Sequence, residues 1–422
     1  MYKKFKFLLF IIFSLFFLTS YLAGGEPTIQ NFLNEYYSSA EKNQKKYTKL
    51  LFASEKGYWN IAFKLLENGE DPNYLILDNK TSTPFMFAIS HGDTELVKKM
   101  IEKGANVNLK SPYGIYHTLM SPLQLNVSTN KDANITKFLC DSGAKFITKP
   151  MWNWLYENPL TYTMSNADFQ KFKIIADTLS YDELNMLDSF NMNVFSTSIY
   201  WYNVPTEKIE NSLNIANYLL DRKILIETES SSALACATRM GNMDLMNLFI
   251  GFGADINFKP KGKYESDIIH NPLISALNYC ITYDTLIKNK DIDLNYLPAK
   301  HDPLKLLLEI KVEINFTFPL LKNGYSPLGF ALHNNLNDAA ELLIAYGADV
   351  NMPEGSRKTP LIRAVEAKNS TGVIMLLNAG ADPTKKGMGK SSNMQTPIDI
   401  AYSLGYNDIL NALIESEAKM YD

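Results

Sequence analysis

The chain repeats one pattern of polar and apolar positions every 33–39 residues. The pattern opens with Thr, Ser or Asn, followed by Pro and an apolar residue. Openings of this kind begin at Thr83, Ser121, Asn271, Ser326, Thr359 and Thr396. A glycine stands 21 residues after Thr83, Ser326 and Thr359, and the same offset joins Ser232 to Gly253. Two markers that keep this register across most of the chain predict an internal repeat.

Each unit predicts two short helices. Thr or Ser before Pro is an N-cap followed by proline at the first helical position, where its missing N–H is not needed. A second helix is predicted from Thr94 to Lys103, because its apolar residues recur at helical spacing. Gly104 is predicted to end it in the left-handed conformation. A unit of helix, turn, helix and loop buries too little surface alone and must stack on its neighbours.

The T-P-L opening and the G-A-D-V-N ending, as in residues 347–351, resemble the ankyrin repeat. The resemblance implies an all-α solenoid of about eleven helix-turn-helix-loop units. One departure is consistent: the histidine that usually follows T-P-L is absent. The residues in its place are Met86, Gln124, Gly329, Ile362 and Asp399. We expect weaker hydrogen bonding between loops but the same fold.

The domain boundaries follow from the clarity of the repeats. We predict a signal peptide at 1–25, a linker or capping helix at 26–46 and the solenoid at 47–418. The clear repeats are 48–109, 232–258 and 326–417, and the degenerate repeats are 121–230 and 271–325. The last of these stretches predicts one fair unit and one short unit that runs from Asp302 to Gly324. This division leaves no room for a separate catalytic domain.

The N-terminal segment has the order of a secretory signal. Three lysines among the first six residues precede an apolar run from Phe7 to Phe13, which resumes through Leu18 and ends in small residues from Ala23 to Gly25. An uncleaved anchor is the alternative, since the 17 residues 7–23 are at the short limit for spanning a bilayer. The sequence therefore predicts an exported chain, periplasmic or secreted. A composition rich in Lys, Asn, Ile, Tyr and Phe indicates a low-GC bacterial source.

Composition and motifs narrow the function. The 422 residues include 41 basic and 45 acidic ones, and this mildly acidic balance disfavours nucleic-acid binding. No metalloprotease, nucleophile-elbow or C-x-x-C motif occurs. The segment Gly389-Lys390-Ser391 lacks the upstream glycine of a phosphate loop. Five scattered histidines share no ligand spacing, and three cysteines are expected to be buried. No catalytic, cofactor-binding or metal-binding residue is predicted.

Three long loops carry the candidate partner-binding residues. The loop 110–120 offers two tyrosines, the loop 259–270 three lysines, and the loop 385–395 three more. These residues are Tyr113, Tyr116, Lys259, Lys261, Lys263, Lys385, Lys386 and Lys390. The lysines predict basic tips on an acidic body, either as a surface for an anionic partner or as solvated loops. Aromatic residues between 150 and 202 form either a binding patch or the core of degenerate units.

The sequence predicts a monomeric, non-enzymatic scaffold that binds a protein partner. The resemblance implies that the loop tips and the concave face make the contact. A membrane-tethered or secreted effector that engages a host or envelope partner is the alternative. An enzyme with a site in 148–230 is a remote alternative, since that stretch contains no histidine.

Overall fold

The computed structural model describes residues 27–43, 48–75, 82–113, 118–129, 132–145, 158–185, 209–261, 270–286, 298–318, 324–388 and 393–419. The predicted signal or anchor at the N-terminus lies outside these residues. So do the aromatic residues Trp152, Trp154, Tyr156, Tyr200, Trp201 and Tyr202. The predictions for both stay predictions.

The chain divides into two compact units. The first contains the described residues up to 163 together with 170–178, and the second contains 164–169 and the described residues from 179 onward. The prediction of a single solenoid over 47–418 is not tested by this division. Each unit is described separately below.

The described residues up to 178 form nine α-helices and one hairpin. The helices are α1 Ile29–Asn43, α2 Lys49–Lys56, α3 Trp59–Glu67, α4 Pro84–His91, α5 Thr94–Glu102, α6 Pro122–Thr129, α7 Ala133–Asp141, α8 Pro159–Ser165 and α9 Phe169–Ala176. Strands β1 Ser111–Tyr113 and β2 Thr118–Met120 pair antiparallel. From α2 to α7, the two helices of each unit contact each other, and first helices and second helices also contact their counterparts in the neighbouring unit.

The described residues from 179 onward continue the pattern. The helices are α10 Tyr181–Leu184, α11 Ile209–Asp221, α12 Ala233–Met240, α13 Met243–Gly251, α14 Pro272–Leu286, α15 Asp302–Glu309, α16 Pro327–His333, α17 Asn337–Ala345, α18 Pro360–Glu366, α19 Ser370–Asn378, α20 Pro397–Leu404 and α21 Asn407–Ala418. A short 3-10 helix spans Gly355–Arg357, and strand β3 Gly387–Met388 pairs antiparallel with β4 Met394–Gln395. The predicted all-α fold of helix pairs is confirmed, with roughly ten units.

The structure contains the predicted N-caps and left-handed helix stops. The hydroxyl of Thr83 accepts a hydrogen bond from the N–H of Met86 at 3.2 Å, and Ser326 and Thr359 cap their helices in the same way. Gly92 ends the first helix of its unit at φ 81°, in the left-handed region. A Thr or Ser cap and a glycine stop thus set the length of the first helix in the unit that begins at Thr83.

The missing histidine is replaced by other acceptors. Gln124 Oε1 accepts the N–H of the opening residue Ser121 at 2.7 Å, and Asp399 Oδ2 accepts that of Thr396 at 2.8 Å. At Gly329, where no side chain is present, the carboxylate of Glu354 accepts the N–H of Ser326 at 3.0 Å. The bonds at Ser121 and Thr396 are local to their openings, and only the bond at Ser326 joins two loops.

A ladder of side-chain amides joins neighbouring units. Asn351 donates to the carbonyl of Gly380 at 3.0 Å and accepts the N–H of Asp382 at 2.8 Å. Equivalent rungs, six from asparagine and one from Glu227, accept the N–H two residues after a left-handed residue that ends the second helix of a unit. The accepting residues are Asn73, Asn108, Asn185, Glu227, Asn257, Asn315 and Asn351. The ladder fixes how the end of one unit meets the end of the next.

Replacing Asn351 by Ala will weaken the contact between its unit and the next. Two hydrogen bonds are lost, and each contributes about 0.5–1.5 kcal/mol. We expect faster amide hydrogen exchange in α18–α21. Asn411→Ala, an exposed substitution on α21, is the matched control and will leave exchange unchanged. Equal exchange in both variants would show that the rung contributes nothing.

The ladder also corrects one predicted boundary. Helix α15 was expected to belong to a short unit ending at Gly324, but it packs as the second helix of the unit opened by Asn271. That unit ends at Asn315, which bonds directly to Gly347 and Asp349 of the following unit. Residues 271–315 are therefore one unit. Sequence missed this because Lys311, at φ 64°, occupies the left-handed stop where a glycine was expected.

Helix α1 covers the first unit. Phe32 is buried, with its ring 5.9 Å from that of Phe52 and 6.2 Å from that of Tyr58. The hydroxyl of Tyr58 donates to Glu35 at 2.9 Å, and burial together with this carboxylate raises the pKa of Tyr58 to about 12. The apolar face of α1 thus closes the end of the first core.

Candidate functional site

The β3–β4 hairpin lies against the 3-10 turn of the preceding loop. A Cβ at Gly387 would stand 2.9 Å from Lys358 Cα and 3.0 Å from the carbonyl oxygen of Arg357. It would also stand 2.8 Å from Ile362 Cδ1. Since backbone atoms cannot yield as a flexible side chain can, only glycine allows this approach. The hairpin is thereby held on the body of the second unit by one of its faces.

Gly387→Ala will detach the hairpin from this turn. The added methyl group meets backbone on two sides, and such overpacking costs about 1–3 kcal/mol. Limited proteolysis and hydrogen exchange of residues 385–395 will report the loosening. Gly251→Ala is the control, because a Cβ there meets nothing within 4 Å and alanine favours the helix. Unchanged protection of the hairpin in Gly387→Ala would contradict the close approach.

The other face of the hairpin presents two methionines. Met388 and Met394 are directly opposite each other across the strands and are 41% and 43% exposed. Successive strand residues point to opposite faces, so both point away from the side on which Gly387 meets the body. They form an outward apolar pair on a fixed support.

Three cations lie in the segments that adjoin this hairpin. Lys385 and Lys386 immediately precede β3, and Arg357 lies in the turn that Gly387 contacts; all three are exposed. Within the described residues none of them forms an ion pair at salt-bridge distance. Lys385 acts electrostatically on Asp382, whose pKa is lowered first by a hydrogen bond from Thr384. We call Arg357, Lys385, Lys386, Met388 and Met394 the methionine patch.

A buried ion pair holds the turn that carries Arg357. Arg363 Nε donates to Glu354 Oε2 at 2.8 Å, and both side chains are almost completely inaccessible. A second guanidinium N–H donates to the carbonyl of Gly324 at 2.8 Å, and the guanidinium carbon lies 3.9 Å from the centre of the Tyr325 ring. Ser326 donates to the other Glu354 oxygen. The network ties the turn 354–358 to two neighbouring units.

Glu354 makes the stability of the second compact unit, which contains the described residues from 179 onward, depend on pH. Burial raises the pKa of Glu354 above its ordinary value, although hydrogen bonds from Ser326 and Arg363 oppose this. Its contribution to stability is therefore fully present below the unfolded-state pKa and is lost as pH rises through the folded-state pKa. Urea titrations measure the free energy of unfolding. We expect this free energy to be higher for wild type than for Glu354→Gln, and the difference to be larger at about pH 4 than at about pH 7. The same margin at both values would contradict this direction.

The predicted lysines of the second loop behave differently. Lys259 is exposed, but its ammonium pairs with Glu313 at 2.7 Å and lies 5.2 Å from the centre of the Phe316 ring. Lys261 is exposed, and its backbone N–H donates to the carbonyl of Glu229 at 2.8 Å. Part of the positive charge predicted for this loop is thus already neutralised by the neighbouring unit.

The remaining predicted site residues are only partly described. Tyr113 lies in strand β1, while its side chain is outside the described part of the chain. Tyr116, Lys263 and Lys390 also lie outside the described residues. The structure therefore brings together Lys385 and Lys386, and adds three residues that the sequence did not single out. The signal available in the sequence was the pair of methionines on either side of residues 389–393.

The cysteines are buried, as expected, and unbridged. Burial raises the pKa of Cys140 and Cys236 to about 11 and that of Cys280 to about 12. His270 Nδ1 lies 4.0 Å from Cys236 Sγ and 3.4 Å from Ser231 Oγ, in a site closed to solvent. At neutral pH Cys236 is therefore a thiol rather than a thiolate nucleophile.

Other site classes find little support in the described residues. They contain no group of three or more His, Cys, Asp or Glu side chains placed to hold a metal ion. Among the described helices, none combines the length and apolarity needed to cross a bilayer. Residues 158–185 and 209–230, within the stretch considered for an enzyme, form helices α8–α11 and their connections.

Capped helix pairs, left-handed stops and a side-chain ladder define a helical repeat protein. Two family models match it: one described as ankyrin repeats (3 copies) over residues 298–387, and one described as ankyrin repeats (many copies) over 65–119. The chain therefore contains ankyrin repeats.

Relatives of known sequence agree. An ankyrin repeat domain-containing protein of Stachybotrys chartarum is 31% identical over 94 residues, which is 22% of this chain and 5% of the relative. An ankyrin repeat protein of fowlpox virus is 24% identical over 301 residues, 67% of this chain and 56% of the relative. The chain thus spans little more than half the length of the viral relative. A crystal structure of a human ankyrin repeat domain aligns over 61% of this chain and 97% of that one, with 16% identity and a TM-score of 0.43.

Proposed function

We propose that the chain is a non-enzymatic scaffold that binds a protein partner through its loop tips and concave face. Ankyrin repeats typically bind proteins. The observation that carries the proposal here is the β3–β4 hairpin, which presents exposed side chains from a backbone held by Gly387 and the buried Arg363–Glu354 pair. A surface fixed in advance loses little conformational entropy on binding.

The test is site-directed photo-crosslinking of the full chain in the cells that produce it. A photoreactive residue replaces Leu119, Lys261 or Met388 in the loops. The matched exposed controls are Lys103, which follows α5, and Glu341 on α17. We expect partner proteins to be crosslinked from the loop positions and not from the controls. Crosslinks from the controls alone, or none at all, would overturn the scaffold proposal.

We also propose that this scaffold acts after export. The charged, apolar and small-residue order of residues 1–25 supports this. Cell fractionation with N-terminal sequencing is the test. A mature chain that begins near Glu26 in the periplasm or medium is expected. A full-length chain recovered with membranes supports the tethered alternative, and a full-length chain in the cytoplasm excludes export.

A further inference from the structure

We infer that the methionine patch binds an acidic segment of the partner protein that carries a large apolar side chain. This inference rests on the proposed scaffold function and names the chemistry of the partner at one of its loop tips. Three features carry it: the outward methionine pair, the exposed cations around it and the fixed support beneath it.

The apolar centre is the first feature. Met388 and Met394 remain more than a third exposed although they are paired across a hairpin whose other face meets the turn 355–358 at the buried Gly387. Their flexible, polarisable side chains adapt to the shape of an apolar partner group. An apolar side chain inserted between them removes water from both methionines and from itself, which stabilises the complex.

The charge around this centre selects the partner. Arg357, Lys385 and Lys386 give the patch three positive charges on a chain whose formal charge is -4. Carboxylates beside the inserted apolar group meet these cations, while a basic partner is repelled. Three cations on an acidic chain are far fewer than nucleic-acid binding normally uses, so a protein segment fits better than a phosphate backbone.

The support is the third feature. The turn that carries Arg357 is closed by hydrogen bonds from Glu354 N–H to the Lys358 carbonyl at 2.7 Å and from Gly355 N–H to the Gly324 carbonyl at 3.2 Å. Glu354 is in turn held by Arg363. The cations and the methionines therefore start from backbone positions that are already set before binding.

The loop at Lys259 provides the internal comparison. Its lysine is paired with Glu313 and lies over the Phe316 ring, so a carboxylate arriving there has to compete with an existing partner. Among the described residues Lys385 and Lys386 form no ion pair at salt-bridge distance, and they act on Asp382 and Asp399 only at longer range. Of these two basic loops, the one at 385–395 is the better receptor for carboxylates.

The experiment is a random 12-residue peptide display selection against the purified full chain. We expect selected peptides to be net acidic with at least one large apolar residue. Their affinity will fall at least about tenfold with Lys385→Glu/Lys386→Glu and with Met388→Ser/Met394→Ser. The control Lys103→Glu/Lys305→Glu makes the same charge change at exposed positions outside the three loops and will alter affinity less than about twofold. Hydrogen exchange will confirm that each variant keeps its helices.

The outcomes separate this inference from the scaffold proposal. Selected peptides that are not acidic, or that are insensitive to both patch variants, overturn the inference while the scaffold stands on its crosslinks. A selection that yields no peptide above background also overturns it. A single-stranded oligonucleotide or an anionic phospholipid vesicle that binds the patch more tightly than any acidic peptide shows that the occupant is wrong. Loss of all loop crosslinks removes the scaffold and the inference together.

Discussion

Glu354→Ala will destabilise the second unit by about 3 kcal/mol, the lower end for breaking a buried ion pair. It removes the carboxylate that lies 2.8 Å from Arg363 Nε and leaves only Glu366, 3.7 Å from Nη1, as a counter-ion. Removing one partner of a buried ion pair costs far more than the pair contributes, since the remaining charge has lost both water and its nearest counter-ion. The turn 354–358 also loses its bond to the opening of the preceding helix at Ser326. We expect amide exchange to accelerate in α16 and α18, which this network joins.

Two variants make this expectation specific. Glu341→Ala removes an exposed carboxylate of the same unit and will change stability by no more than about 0.5 kcal/mol. Glu354→Leu combined with Arg363→Met replaces the pair by apolar groups and will recover much of the loss, because neither buried charge then remains to be compensated. A single Glu354→Ala variant as stable as the control would show that Arg363 finds water or another partner.

Gly241→Ala will lower the free energy of unfolding more than Gly405→Ala, a substitution at a glycine of similar backbone conformation. Gly241 ends α12 at φ 68°, and a Cβ there would stand 2.7 Å from Cζ of Tyr279. The Tyr279 ring is fully buried, and its hydroxyl donates to the carbonyl of Pro298 at 3.1 Å, so it cannot move aside freely. We expect a loss of about 1–2 kcal/mol for the left-handed backbone and about 1–3 kcal/mol more for the overlap.

Gly405→Ala isolates the backbone effect. Gly405 has nearly the same φ, 71°, but nothing lies within 4 Å of the position its Cβ would take. Urea unfolding and local hydrogen exchange should therefore give a smaller loss for Gly405→Ala than for Gly241→Ala. Tyr279→Leu in the Gly241→Ala background should restore part of the difference. Equal losses at both glycines would mean that the Tyr279 ring gives way.

Local chemistry was predictable from the sequence wherever one residue type performs one task. Thr83 and Ser326 cap helices because a hydroxyl before proline can accept a free N–H, and Gly104 stops a helix because it tolerates positive φ. Lys223 and Lys311 adopt the same backbone, at φ 59° and 64°, with no glycine to signal it. Unit boundaries there depend on packing between units, which a local pattern does not encode.

The candidate site was less predictable for a related reason. Lys385 and Lys386 could be found because a charge run on a loop is visible in the sequence. Arg357 lies about thirty residues earlier and joins them only through the close approach at Gly387. The buried partnership of Glu354 and Arg363 was equally invisible, since charged residues are usually predicted to be exposed. The position of Arg357 beside the hairpin and the pairing of Glu354 with Arg363 both depend on contacts between successive units.

The side-chain ladder has a consequence for how this chain tolerates growth. Its rungs join residues that are 28 positions apart in one unit and 56 in another, with hydrogen-bond lengths of 3.1 and 2.6 Å. Each rung is a hydrogen bond between the ends of two successive units. It forms in the same way whatever the number of residues between those two ends. Residues can therefore be gained or lost between the two helices of a unit while successive units keep their register. An insertion between the two helices of a unit can therefore add surface to the protein while the packing of successive units stays the same.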